Sequence, residues 1–419
     1  MRRIGTLAGI IALAGMGLGI SPVHADDAIP ASTSTADLQK VLSAATPGST
    51  VTLGAGTFSI SKPLKVPANV TLTGSGTSST VLKLASDSWS NFSYGFLVMP
   101  AGDGSTVSNL TVDGNRSSNP TPTTNVGGGI KVANNWTVTA VRFTNLNYFK
   151  LWVHQVKNVT VSNCTFDAIG GTSGNEDNIG GGRNDNVTIT NNTFDASTRG
   201  NAIDLIRSKN LTITNNTLAA APGLERGIYI EGVQGATVSG NTITNGSITA
   251  KTDKSYTGTD PITNPANITI TGNRITSAVS QGIGIVYDTD SRGMVTGGGN
   301  QVSNNVINGS GRSGIVIIHC AANVTTSSDR ITGNTVTNAF GKGGTSWGTG
   351  CGTVQASGIS VTAGKDTLID SNTVIDTRTP LVSTYGVWAG SKNNRAPLVS
   401  PVITNTTVSA GMKAFGVQA

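Results

Sequence analysis

"NVTITNNTF" runs from Asn186 to Phe194, and "NLTITNNTL" runs from Asn210 to Leu218. In both, apolar and polar residues alternate, an Asn breaks the alternation, and an apolar residue follows. Alternation of this kind reads as a half-buried strand, and Asn tolerates the left-handed backbone that a sharp bend needs. Two such phrases one short period apart raise the question of whether the whole chain is one unit repeated, and that question precedes any other assignment.

The phrase returns along most of the chain. "STVSNLTV" starts at Ser105, "WTVTAVRF" at Trp136 and "VTVSNCTF" at Val159. After the quoted pair come "ATVSGNTI" from Ala236, "ITITGNRI" from Ile268, "NQVSNNVI" from Asn300 and "DRITGNTV" from Asp329. Two weaker copies, "TLIDSNTV" from Thr367 and "PVITNTTV" from Pro401, bring the total to eleven, at intervals of 23 to 38 residues. A second alternating run precedes most copies: "AIDLI" at 202–206, "GIYIEG" at 227–232, "GIGIVY" at 282–287, "GIVII" at 314–318 and "GISV" at 358–361. Each period therefore holds three short strands and tight turns, with no room for a helix. The simplest closed solution is an all-β, single-domain, right-handed parallel β-helix of about eleven or more coils, stacked at about 4.8 Å.

One position of the phrase is Asn in seven copies: Asn192, Asn216, Asn241, Asn273, Asn305, Asn334 and Asn372. Stacked at one bend, these amides can hydrogen-bond along the coil axis as a ladder, each satisfying the next. Sequons of the form Asn-x-Thr/Ser also recur in the phrase. A ladder explains their periodicity and glycosylation does not.

"MRRIGTLAGIIALAGMGLGISPVHA" opens with two arginines, continues apolar and ends in a small residue before "DD". Residues 1–25 read as a secretory signal peptide cleaved after Ala25, too short and Gly-rich in its core for a comfortable membrane span. Residues 26–34 read as a short linker and 35–419 as the β-helix. The expected product is secreted, extracellular or periplasmic, with peripheral or no membrane contact. Losing Arg2 and Arg3 lowers the formal net charge from +6 to about +4. So small an excess suits an acidic glycan without demanding one, and it argues against nucleic acid as a partner.

Three cysteines are present. Cys164 takes the ladder position of its coil and reads as a buried thiol. Cys320 ends one strand and Cys351 precedes the next corresponding strand, so a disulfide between them would clip the intervening loop, as export permits.

"STSTADLQKVLSAA" reads as a short capped helix with Leu38, Val41 and Leu42 on one face. With residues 49–58 and "LTVDGN" at 110–115, it resembles the opening of the pectate-lyase-like β-helix superfamily. Members often begin with an amphipathic helix plugging the open end, followed by a Gly-x-Thr-Val-x-Leu-x-x-Gly-Thr-Phe strand. The resemblance spans about 35–419 and is one of fold, shared by lyases, hydrolases, epimerases and adhesins, so function does not follow from it. The polygalacturonase set (Asn-Thr-Asp, Asp-Asp, Gly-His-Gly, Arg-Ile-Lys) and the Asp-Pro-His-Glu pattern of alginate epimerases are absent, and no catalytic residue carries over.

Strand alternation then selects a face. In the strand preceding each phrase, successive coils present Trp152 and His154, Gly180 and Gly182, Asp204 and Ile206, Tyr229 and Glu231, with Lys131 or a near neighbour before them. Arg183 and Arg207 align where their strands enter the turn. Elsewhere the same face carries small or neutral residues such as Gly284, Val316, Ser360 and Thr362. A lone charge is ordinarily a solvated surface residue; the company these keep points to a site. The glycines leave a hollow between an aromatic coil and an acidic one, an arrangement that commonly holds sugar rings, here those of a polysaccharide.

Asp204 and Glu231 lie on adjacent coils, offset by two residues, with Cα atoms on the order of 8 Å apart. Glycoside hydrolysis needs such a pair, one acid and one base or nucleophile. The neighbouring arginines are expected to keep one carboxylate ionised, while a more buried partner holds a proton. The competing chemistry is β-elimination from a uronic acid, for which His154, Arg183, Arg207 and Tyr229 offer base and cation. Asp177 in "GNEDN" (174–178) and the acids of "YDTD" (287–290) stand as candidate substrate or Ca²⁺ contacts, but neither has a recognisable ligand spacing and loop solvation is the better account of them. A non-catalytic adhesin or glycan-binding solenoid remains the reading from another class.

Overall fold

A computed structural model of the chain describes residues 28–88, 92, 95–119, 127–167, 177–197, 200–220, 227–253, 263–287, 297–319, 328–341, 354–362, 364–390 and 401–417. The signal-peptide reading of residues 1–25 lies outside them. So do Cys320 and Cys351, and with them the expected disulfide.

Every ladder between named strands is parallel, which is the mark of a coil that always advances the same way. One coil runs through strands Ile179–Gly182, Asp185–Thr190 and Thr193–Ser197, and the next begins at Ile203–Ile206. Ile203 then stacks on Ile179, Leu211 on Val187 and Leu218 on Phe194. Among the described residues this winding builds one sheet of 13 strands, the site sheet, and one of 24 strands that bends at the asparagines. The product is a single parallel β-helix, as the phrase predicts.

The inward positions form columns of like residues. Ile189, Ile213, Val238, Ile270, Val302 and Ile331 are paired in turn and fully buried. Phe143, Phe166 and Phe194 stack face to face at 4.9 and 4.6 Å. Burying each such side chain contributes about 1.5–3 kcal/mol, so the core is held coil by coil.

The bend works as the asparagine series predicts. The residue before each ladder amide takes the left-handed conformation: Asn191, Asn215, Gly240, Gly272, Asn304, Gly333 and Ser371. Asn216 is representative. Its Nδ2 donates to Asn241 Oδ1 at 3.0 Å and to the Ile189 carbonyl at 3.0 Å, and its backbone N–H donates to the same Asn241 Oδ1 at 2.9 Å. Cys164 heads the series, its N–H donating to Asn192 Oδ1 at 2.9 Å. Burial pushes its thiol up to about 12, so it is inert packing as expected.

Helix α1 (Thr35–Ala44) covers one end of the coil stack, with Ser34 capping Asp37 N–H and with Leu38 and Leu42 buried. Gln39 imitates a strand there: its Oε1 accepts from Lys65 N–H at 2.7 Å and its Nε2 donates to the Lys65 carbonyl at 3.1 Å. Ile29, within the stretch read as linker, bridges Leu53 and joins the first coil.

Candidate active site

The expected register holds at every step. Lys131 pairs with Trp152, Trp152 with Gly180, Gly180 with Asp204 and Asp204 with Tyr229. In the parallel column His154 meets Gly182, Gly182 meets Ile206 and Ile206 meets Glu231. Each side chain is placed by its strand, because the core residues on either side, such as Ile203 and Leu205 around Asp204, are fully buried.

A cleft of about 450 Å³ opens across these coils, lined by Phe149, Trp152, His154, Asp177, Arg183, Asp204 and Arg207 among others. Its glycines are there for close approach as well as for space. A Cβ on Gly180 would stand 2.2 Å from the Phe149 ring, and one on Gly182 would stand 2.4 Å from the Ile206 carbonyl oxygen. Phe149 thus fills part of the expected hollow, its ring 4.6 Å from Trp152, which in turn stacks on His154 at 5.3 Å.

The two carboxylates sit in different surroundings. Asp204 is held by one hydrogen bond, from Asn201 Nδ2 to its Oδ2 at 3.1 Å, and its buried Oδ1 has no hydrogen-bond partner. Burial first, then the negative charges of Asp177 and Glu231, push it up to about 8. Burial raises Glu231 as well, but Lys251 Nζ lies 3.2 Å from its Oε1 and opposes the rise. The same ammonium stands 4.8 Å over the Tyr229 ring. Burial also raises the Tyr229 phenol and, aided by Arg183 and Lys131, lowers His154.

Two expectations need correction. The cation placed against Glu231 is a lysine. Arg207 is ion-paired with the fully buried Asp253, and Lys251 takes the role at Glu231. Further along the sheet the face is also closed to water: Val316, Ser360 and Thr362 are buried, Ser360 bonded to Ser313 and Ser357 at 2.6 and 2.7 Å. Polar packing between neighbouring coils replaces water there.

Lys251 and Asp253 were missed from sequence. Strand Ile248–Lys251 has the right alternation and pairs Lys251 with Glu231. It lacks the Gly-Ile opening of strands such as Ile228–Glu231 and Ile283–Tyr287, which would have drawn attention to it. Arg183 and Arg207 both take positive φ, 58° and 49°. Gln155 and Gly232 take the same conformation at the matching places of the neighbouring coils, so it belongs to the turn of the solenoid. Of the loop acids, Asp177 lines the cleft and accepts the Asn201 N–H. Glu176, Asp288 and Asp290 lie outside the described residues. Among the described residues no group of three His, Cys, Asp or Glu side chains is placed to hold a metal ion.

A family profile described as a right-handed beta helix region matches residues 94–259 and, overlapping, 177–355. No curated protein matches the chain. Solved structures of similar fold include PfbA, a surface adhesin of Streptococcus pneumoniae, at 14% identity, covering 93% of each chain with a TM-score of 0.55. A PL6 alginate lyase in complex with a trisaccharide is 14% identical over 93% of this chain and 88% of its own, with a TM-score of 0.55. A GH87 α-1,3-glucanase from Streptomyces thermodiastaticus is 14% identical over 94% of this chain and 69% of its own, with a TM-score of 0.51. At these identities the likeness is one of fold.

Proposed function

The chain belongs to the right-handed β-helix family, and on that scaffold we propose an exported enzyme that cleaves a polysaccharide by glycoside hydrolysis, with Asp204 as acid and Glu231 as base. One observation carries the reading: of two carboxylates on adjacent coils, both raised by burial, Glu231 has a lysine ammonium at 3.2 Å and Asp204 has only an amide bond. Asp204, at about 8, keeps its proton at neutral pH. Glu231 is paired to Lys251 at 3.2 Å and is the better acceptor. A hydrolase separates an acid from a base in this way, by environment and not by residue type.

The reaction follows from those roles. A saccharide seated against Trp152 and Phe149 brings its glycosidic oxygen to the Asp204 carboxyl, which donates the proton as the bond to the leaving sugar breaks. Glu231, as base, takes a proton from the water that attacks the anomeric carbon, and Lys251 stabilises it until then. Acid–base help of this kind is worth typically 10²–10⁴-fold.

A second reading rests on the other wall. His154 is held toward its neutral form beside Arg183 and Lys131, a base next to cations that would neutralise a uronate carboxylate in β-elimination. Tyr229 serves that chemistry poorly as a base, because burial raises its phenol. Fold likeness does not choose between these readings, since lyase, glucanase and adhesin share it. Neutral and uronate polysaccharides should be screened for new reducing ends and for unsaturated-uronate absorbance. Reducing ends alone support hydrolysis, both signals together support elimination, and neither supports an adhesin. Loss of cleavage on chelation would point to Ca²⁺ and to the second reading.

A further inference from the structure

Asn201 stands between two acids. Its backbone N–H donates to Asp177 Oδ1 and its side-chain Nδ2 donates to Asp204 Oδ2. Asp177 and Asn201 occupy matching places on consecutive coils, since the Asn178 N–H donates to the Asn201 carbonyl at 3.0 Å. Asp177 is nearly buried and lines the same cleft as Asp204. The chain therefore runs Asp177, Asn201, Asp204, and it ends at Oδ1, the oxygen of Asp204 without a hydrogen-bond partner.

We propose that Asn201 and Asp177 are positioning residues for Asp204: Asn201 fixes which oxygen carries the proton, and Asp177 locks Asn201 in place while its charge resists ionisation of Asp204. An amide N–H donates only to an acceptor, so the Asn201 bond reserves Oδ2 as the acceptor and leaves the proton to Oδ1. Oδ1 is buried and has no hydrogen-bond partner that would compete for that proton. Asp177, read from sequence as a substrate contact, then acts through its neighbour. The catalytic meaning of this arrangement rests on the hydrolase reading.

Other charges surround Asp204. Arg183 and His154 lie on the coils before it, Arg207 ends its own strand, Tyr229 and Glu231 lie on the next coil, and Lys251 and Asp253 follow one coil further. Within that group Asp177 contributes the largest charge effect on Asp204, acting to raise it, and the Asn201 hydrogen bond acts to lower it. The two neighbours thus pull in opposite directions, and this gives a signature that loss of packing would not imitate.

The test needs no substrate. The thermal midpoint of Asp204→Asn minus that of the unaltered protein, followed against pH, reports where Asp204 ionises. It should be measured again with each pair carrying Asp177→Asn or Asn201→Ala. The expected result is a difference that levels off near pH 8 in the native background, at least about one unit lower with Asp177→Asn, and higher with Asn201→Ala. An unmoved levelling point, or two shifts of the same sign, would overturn the assignment. On a substrate found in the polysaccharide screen, Asn201→Ala should lower kcat at least about tenfold with little change in KM. An equal loss in KM alone would likewise count against it. If the levelling point shifts as stated while Asp204→Asn keeps its turnover, the proposed hydrolysis fails and the positioning stands; if turnover is lost while the levelling point stays put, the reverse holds.

Discussion

The asparagine bend and the site sheet of one coil are built on opposite rules. At the asparagine bend each coil repeats its neighbour: Asn216, Asn241 and Asn273 make the same hydrogen bonds at 2.9–3.0 Å. On the site sheet, four coils in succession present Trp152, Gly180, Asp204 and Tyr229 at one position. Repetition satisfies every buried amide and carries no chemistry. Variation leaves Asp204 Oδ1 and His154 Nδ1 without hydrogen-bond partners. The solenoid is stabilised on one side and made reactive on the other.

The contrast breaks most sharply if the site variants behave like ladder variants. Asp204→Asn and Glu231→Gln should each lower turnover by at least about 10²-fold on the confirmed substrate, without lowering the thermal midpoint. Near-native turnover in both would end the hydrolase reading. The converse experiment is Asn216→Leu, which strands the Asn192 side chain's donor and should cost about 1–3 kcal/mol by denaturant unfolding, with turnover per folded molecule unchanged. A stability equal to that of the unaltered protein would mean that the bend tolerates an orphaned amide.

Smaller effects sharpen the same comparison. Lys251→Met removes the cation that favours ionised Glu231, so the acidic limb of the pH–rate profile should move to higher pH, by up to about one unit. Asp204 supplies a stability term of unusual sign. Its folded value of about 8 exceeds the ordinary 3.8, so the folded state holds the proton more tightly, and that contribution is full below about pH 4 and lost as pH rises toward 8. Asp204→Asn should therefore melt with the unaltered protein at pH 4 and on the order of a few degrees above it at pH 8. Last in size is the proposed Cys320–Cys351 bond: thiol counting in denaturant should find one reactive thiol, at Cys164, and reduction should leave the midpoint of the solenoid almost unmoved, because each coil is held by its neighbours. Three free thiols would exclude the bond.

Legibility in the sequence follows the same division. Period, register and the asparagine series are local facts repeated many times, so Asn192 through Asn372 and the columns from Trp152 to Glu231 could be placed from spacing alone. Lys251 sits on a strand without the Gly-Ile opening, and Asp253 reaches Arg207 across 46 residues of sequence, so neither contact leaves a mark in the repeat. Burial of Ser360 depends on Ser313, 47 residues away. The pattern tells which face a residue takes, and not what covers that face.

Gln39 has one further consequence. A parallel solenoid ends in a row of unpaired peptide groups, which is a template for another chain. By matching both polar groups of Lys65, Gln39 occupies part of that template with a side chain that offers no onward edge. Helix α1 therefore acts as a chain terminator for self-association: molecules stacked coil on coil could not continue through this end, and fibre formation would first require the helix to lift away.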